Sequence, residues 1–136
     1  MNEFSWPVRV YYEDTDAGGV VYYANYLKFM ERARTEFMRS LGFGKDYIFT
    51  HDLMFVVRDA QVTYHAPARL DDALQATARI VKARGAAMVF AQRVLRDGEL
   101  LAEGELTIAC VDREGVRPQR LPKEMVARIQ ASTNET

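Results

Sequence analysis

The stretch Tyr11-Tyr12-Glu13-Asp14-Thr15-Asp16-Ala17-Gly18-Gly19-Val20-Val21-Tyr22-Tyr23, running on through Asn25 and Tyr26 to Leu41-Gly42, decides how this chain is read. Carboxylates end a short apolar segment, a Gly-Gly pair permits a tight reversal, and a long amphipathic segment follows. Glycine tolerates positive φ and lets other groups approach closely. A helix start presents unpaired N–H donors and a partial positive charge. A carboxylate brought beside such donors is suited to holding, polarising and attacking a carbonyl.

Downstream of the glycines, Tyr26, Leu27, Met30, Ala33, Phe37, Met38 and Leu41 recur at spacings of three and four. That period predicts one apolar stripe of a helix, with Asn25 as its N-cap and Gly42 just past its end. Upstream, Val8, Val10 and Tyr12 alternate with Arg9, Tyr11 and Glu13, a half-buried strand opening just after Pro7.

Beyond Gly42 an irregular connection leads to Phe55, where the period becomes two. Val56, Ala60, Val62 and Tyr64 share a parity broken at Arg58, and Leu74, Ala76, Ala78 and Ile80 share another. Arg84-Gly85 turns the chain into Ala86–Leu95, apolar on both faces. Asp97-Gly98 is a hairpin signal leading to Leu100, Ala102, Leu106, Ile108 and Cys110. Lys123 to Gln130 reads as a terminal helix and Ala131 to Thr136 as a frayed tail. The order is strand, long helix, then four antiparallel strands. An apolar helix stripe and an apolar sheet face bury each other, so the expected α+β fold is a curled antiparallel sheet wrapped around one long helix. The two-sided segment at Ala86–Leu95 points to a partner subunit.

The totals agree with an ordinary globular protein. The chain has 136 residues, 49% hydrophobic and 27% charged, enough for one domain with its own core. A net charge of −1 gives no footprint for nucleic acid. Cys110 is the single cysteine, which fits a reducing compartment. The N-terminus lacks signal-peptide character, and no apolar run approaches the ~20 residues that span a bilayer. A cytoplasmic protein with no membrane insertion is the expectation. No His/Cys/Asp/Glu spacing indicates a metal.

The order of elements and the blocks Arg9 to Tyr22, Asn25-Tyr26, Glu31 to Glu36, Phe55 to Arg58, Tyr64 to Asp72 and Val111-Asp112 resemble one family. It is the hot-dog fold's 4-hydroxybenzoyl-CoA thioesterase-like family, and most of all its Tol–Pal-associated acyl-CoA thioesterase branch. The likeness covers nearly the whole chain. It implies a single hot-dog domain over residues 1–131 with a tail at 132–136, hydrolysis of an acyl-CoA thioester, and assembly as a homodimer or a dimer-of-dimers tetramer.

Carried over residue by residue, the resemblance makes Asp16 the nucleophile or the base for water. The backbone N–H at Tyr23 becomes the donor that polarises the thioester carbonyl. That branch usually has His where this chain has Tyr23; the 4-hydroxybenzoyl-CoA branch has Tyr. Gly18, Gly19, Tyr22 and Tyr26 are expected to line the substrate, with Phe29 beside them. Lys82 and Arg84, and less so Arg58, are candidates for the phosphates of coenzyme A, because arginine suits phosphate contact. No cofactor is implied beyond the coenzyme A of the substrate; an acyl carrier protein is an alternative carrier. Arg32, Arg34 and Glu36 are expected to form ion pairs around the helix. His51 and His65 each stand alone, which disfavours a hot-dog dehydratase. A non-catalytic acyl-CoA or acyl-carrier-protein binding module is the other class of function open at this point.

Overall fold

The computed structural model describes residues 3–134. Its elements run β1 (Phe4–Arg9), a single 3-10 turn (Tyr12–Asp14), α1 (Asn25–Ser40), α2 (Lys45–Thr50), β2 (Leu53–Tyr64), β3 (Ala73–Arg84), β4 (Ala87–Arg96), β5 (Glu99–Asp112) and α3 (Lys123–Asn134). The strands form one antiparallel sheet in the order β1-β3-β4-β5-β2. α1 lies in its concave side against β1, β3 and β4. This is the hot-dog arrangement.

The helix forms because one stripe is continuously apolar. Tyr26, Phe29, Met30, Ala33, Phe37 and Met38 are all buried, and each large side chain among them contributes about 1.5–3 kcal/mol relative to exposure. Two details differ from the sequence reading. Phe29 belongs to the buried stripe, one turn on from Tyr26, while Leu27 faces out. Gly42 does end the helix: at φ +96° it donates its N–H to Arg39 O (3.0 Å), and Phe43 N–H returns to Met38 O (2.9 Å). These two bonds are a Schellman closure, which glycine favours because it has no Cβ.

The sheet contributes Leu74, Ala76, Ala78 and Ile80 from β3, Met88, Phe90 and Val94 from β4, and Leu106, Ile108 and Cys110 from β5. Asp97 and Gly98, both at positive φ, close the β4–β5 hairpin. β1 lies earlier than its alternation indicated. Tyr12 is 81% exposed in the 3-10 turn, and Pro7 sits inside an edge strand, where a missing N–H is tolerated. The supposed irregular connection after Gly42 contains α2. α3 runs four residues past Gln130, and of the expected tail 135–136 lie outside the described residues.

β2 departs furthest from expectation. It is the other edge strand, its register with β5 shifts around Arg58, and Ala60 and Tyr64 are exposed although their parity suggested an inner face. α1 covers the β1–β3–β4 side, and the shorter α2 packs against β2.

Candidate active site

The acidic turn folds as a small hairpin. Thr15 bridges Val21, Asp16 N–H donates to Val20 O (2.9 Å), and Tyr22 N–H donates to Asp14 O (2.9 Å). Ala17-Gly18-Gly19 form its tip, with Gly19 at φ +79°. The hairpin is pinned to the turn before β3, through Val21 N–H to Ala68 O (2.8 Å) and a bridge between Val20 and Arg69.

The carboxylates of this segment divide by burial. Asp14 is buried; its Oδ2 accepts Tyr11 N–H (2.9 Å), and its main-chain carbonyl accepts Asn25 Nδ2 (3.0 Å). Asn25 therefore braces the hairpin instead of capping α1, whose N-cap residue is Ala24. Asp16 is exposed. Its Oδ1 accepts Gly18 N–H at 2.9 Å, and its Oδ2 has no protein partner among the described residues. A Cβ on Gly18 would come within 3.3 Å of Asp16 Oδ1, so glycine there keeps the loop close around a carboxylate that is oriented on one oxygen and open on the other.

From the foot of the hairpin the chain enters α1. Asn25 N–H donates to Tyr22 O (2.8 Å), Tyr26 N–H to Tyr23 O (3.4 Å) and Leu27 N–H to Ala24 O (3.2 Å). The N–H groups of Tyr23 and Ala24 meet no acceptor among the described residues. They are orphan donors at the positive end of the α1 dipole. Tyr23 is 62% exposed, and its ring packs on that of Tyr22 with centroids 4.9 Å apart. Tyr64, at the end of β2, donates its hydroxyl to Tyr23 O at 3.0 Å. Burial pushes the Tyr64 phenol above its usual range, with Tyr23 and Tyr26 adding to the shift. Tyr26 is in the core, where its hydroxyl accepts Ala68 N–H (2.9 Å), and Phe29 is buried beside it. These two support the site from behind and line no open surface.

The basic candidates scatter. Lys82 and Arg84 are exposed at the far end of β3, roughly 30 Å along the strand from the end that carries the hairpin. Within this chain they share no crevice with Asp16 among the described residues. Arg58 is exposed at the β2 irregularity. The fold sets Arg69 beside the hairpin, exposed and with its charge acting on Asp72, while Arg9 and Arg32 share a hollow with Tyr11, Glu13 and Asp14. The sequence signal for Arg69 is the Tyr64–Asp72 block that carries the family likeness. On α1, Glu36 pairs with Arg39, Arg32 lies over the Phe29 ring at 5.8 Å, and Arg34 turns inward to Gln92.

His65 Nε2 meets Glu103 Oε2 at 2.8 Å, and His51 stacks on Tyr47 with ring centroids 3.9 Å apart. Cys110 is buried, and burial pushes its thiol up to about 11. A cavity of about 460 Å³ opens where α1 leaves β2 uncovered, lined by Met38, Phe43, Ile48, Phe55, Val57, Met88, Phe90 and Ile108, with Glu31, Arg34 and Thr35 among its polar lining. It contains none of the hairpin residues.

The Thioesterase-like superfamily model matches residues 10–129. The chain is 50% identical over 125 residues to the acyl-CoA thioester hydrolase YbgC of Escherichia coli O6:H1, covering 91% of this chain and 93% of that one. It is 34% identical over 126 residues to the acyl-CoA thioesterase YbgC of Helicobacter pylori, covering 85% and 91%. Among solved structures, a probable thioesterase from Bartonella henselae superposes with a TM-score of 0.85 at 36% identity, over 89% of this chain and all of that one. A DHNA-CoA thioesterase from Staphylococcus aureus shares the fold, with a TM-score of 0.89 at 23% identity over 98% and 95%. The chain belongs to the Thioesterase-like superfamily.

Proposed function

We propose that this member of the superfamily is an acyl-CoA thioester hydrolase whose reacting groups are Asp16 and the main-chain N–H donors at Tyr23 and Ala24. The overall reaction consumes water and yields a carboxylic acid and the free thiol of coenzyme A. The observation that carries the reading is a carboxylate held on one oxygen by Gly18 N–H, on the same short hairpin that ends in two unpaired N–H groups. An anionic acid is what thioester cleavage requires, and unpaired donors at a helix start are what the developing oxyanion requires. One such donor is worth on the order of 10²–10³ in rate.

Two routes fit the open Oδ2. In the first, Asp16 attacks the carbonyl carbon, the C–S bond breaks, and water hydrolyses the resulting acyl-aspartyl anhydride. In the second, Asp16 takes a proton from water, which attacks directly. A single turnover in ¹⁸O-labelled water separates them, because only the anhydride route can leave label in the Asp16 carboxylate.

Arg69, beside the hairpin, is the best placed cation for a coenzyme A phosphate, with Lys82, Arg84 and Arg58 reaching the ligand only from another subunit. The open edge of β2, with Val57 52% exposed, supports assembly as a homodimer or dimer of dimers. The cavity beneath that edge is apolar enough to take an acyl chain from a neighbouring site. The reading calls for no metal or redox cofactor. A cytoplasmic setting fits the single cysteine, and a tie to the Tol–Pal system rests on the family likeness.

The test is free-thiol release from a panel of aliphatic and aromatic acyl-CoAs, with calorimetry on the same panel. Turnover of at least one thioester supports a hydrolase. Tight binding without thiol release replaces this reading with a non-catalytic binding module.

A further inference from the structure

The carbonyl of Tyr23 stands where α1 begins, and the helix uses it poorly. Tyr26 N–H reaches it only at 3.4 Å, and Leu27 N–H turns to Ala24 O instead, at 3.2 Å. Its strong partner comes from another element: the hydroxyl of Tyr64 donates to it at 3.0 Å. The Tyr64 ring is fixed by edge-on contacts with Tyr23 (centroids 6.2 Å apart, planes at 87°) and Tyr26 (5.3 Å, 67°). Tyr26 is itself immobilised, buried with its hydroxyl accepting Ala68 N–H. A chain of contacts thus leads from Ala68, in the turn before β3, through Tyr26 and Tyr64 to a single peptide unit.

We propose that Tyr64 is a positioning residue for hydrolysis: its hydroxyl fixes the Tyr23–Ala24 peptide plane and so aims the unpaired Ala24 N–H at the thioester oxygen. Tyr23 C=O and Ala24 N–H belong to one peptide unit, so a donor on the carbonyl also polarises the N–H, as linked hydrogen bonds strengthen one another. Aim matters most where charge develops, because preorganised donors stabilise the oxyanion without reorienting during the reaction. This inference rests on the oxyanion reading given above.

Tyr64→Phe keeps the ring contacts and removes only the hydroxyl. The expected result is a kcat roughly tenfold lower, the value of one modest hydrogen bond expressed in the transition state, with KM changed by less than about twofold. Affinity for a trifluoromethyl ketone analogue of the acyl-CoA, whose adduct carries the oxyanion, falls by a similar factor. Affinity for an unreactive thioether analogue does not. Parent-like kcat and ketone affinity overturn the proposal, as does an equal loss for ketone and thioether, which marks general damage to the pocket. Tyr64→Leu, compared by thermal midpoint, measures the packing role of the ring separately. If Asp16→Asn hydrolyses at the parent rate, the underlying site reading fails. If Asp16→Asn is inactive and Tyr64→Phe is not impaired, only the role of Tyr64 fails.

Discussion

The carboxamide of Gln92 in β4 donates from Nε2 to the carbonyl of Met30 in α1 at 2.9 Å, tying the helix to the sheet. The same nitrogen donates to Thr77 O in β3 (2.9 Å), and Oε1 accepts Arg34 Nη1 (2.9 Å). Gln92 is 1% exposed, so without its carboxamide each of these groups loses one hydrogen bond. Thr77 Oγ1 meanwhile accepts Arg93 N–H at 2.9 Å, filling a gap in the β3–β4 ladder. The buried glutamine therefore mends an irregular sheet and sets the height of α1 above it.

Replacing Gln92 with leucine, of similar size, should cost about 2–4 kcal/mol, because buried polar groups left unsatisfied cost ~1–3 kcal/mol each. Urea unfolding measures it. A loss below about 0.5 kcal/mol, the range of neutral surface changes, would show that the network adds nothing.

Gly42 offers a second stability test. Its φ is +96°, and an added Cβ would lie 2.8 Å from Arg128 Nη1, which itself donates to Leu41 O at 2.7 Å. Gly42→Ala should cost about 1–2 kcal/mol from the left-handed backbone alone. Gly44→Ala is the control: its backbone is extended at φ −85°, and the nearest contact to an added Cβ is an ordinary 3.7 Å to Arg39 Cγ. Equal losses in the two variants would contradict the argument from φ.

Acid should destabilise the fold through three carboxylates. Arg93 holds Glu3 below the usual carboxylate range, against a burial effect that opposes it. At Asp72 burial pushes upward, but Arg69 N–H and Arg96 together outweigh it and the carboxyl is held low. At Asp112 the Gly115 N–H, 2.6 Å away, is the main cause of a lowered value. A carboxyl with a depressed folded pKa binds its proton first in the unfolded chain. Its contribution is therefore complete above the unfolded value, near pH 4, and lost as pH falls through the lower folded value. The urea midpoint should drop between about pH 5 and about pH 3, and drop less in Asp72→Asn. A midpoint indifferent to pH over that interval would contradict the assignment.

The parts of this fold legible in the sequence are those that a local rule controls. The α1 stripe, the Gly42 stop, the Asp97-Gly98 hairpin and the parity of Leu74 to Ile80 each depend on residues close in the chain. Val10 was rightly read as inward, yet it lies outside β1. Its partners are the Asp71 and Asp72 main chain, which alternation cannot reveal. Tyr12 misled because tyrosine fits either a buried or an exposed reading. At the edge strand β2, apolar alternation reads as one inner face, yet the strand meets the short α2 rather than α1 and Ala60 and Tyr64 end up exposed. Arg34 and Gln92 were illegible for a different reason. A buried polar network is built from residues 58 positions apart, and no periodicity marks it. Within the candidate site, the hairpin was visible as a run of residue types. The unpaired N–H groups follow from the start of a helix, which the sequence marks, whereas the Tyr64 contact exists only once β2 and α1 meet.

The most direct measurement compares thiol release from a hydrolysed acyl-CoA by the parent chain and by Asp16→Asn, with unfolding curves to verify that both are folded. Asparagine fits the same space and can still accept Gly18 N–H, but it is neither an anionic nucleophile nor a base. Turnover should fall by about 10² or more, the scale of lost acid–base catalysis, while the unfolding midpoint stays within the range of the parent. A folded Asp16→Asn variant that releases thiol at the parent rate would contradict the assignment of the chemistry to this hairpin.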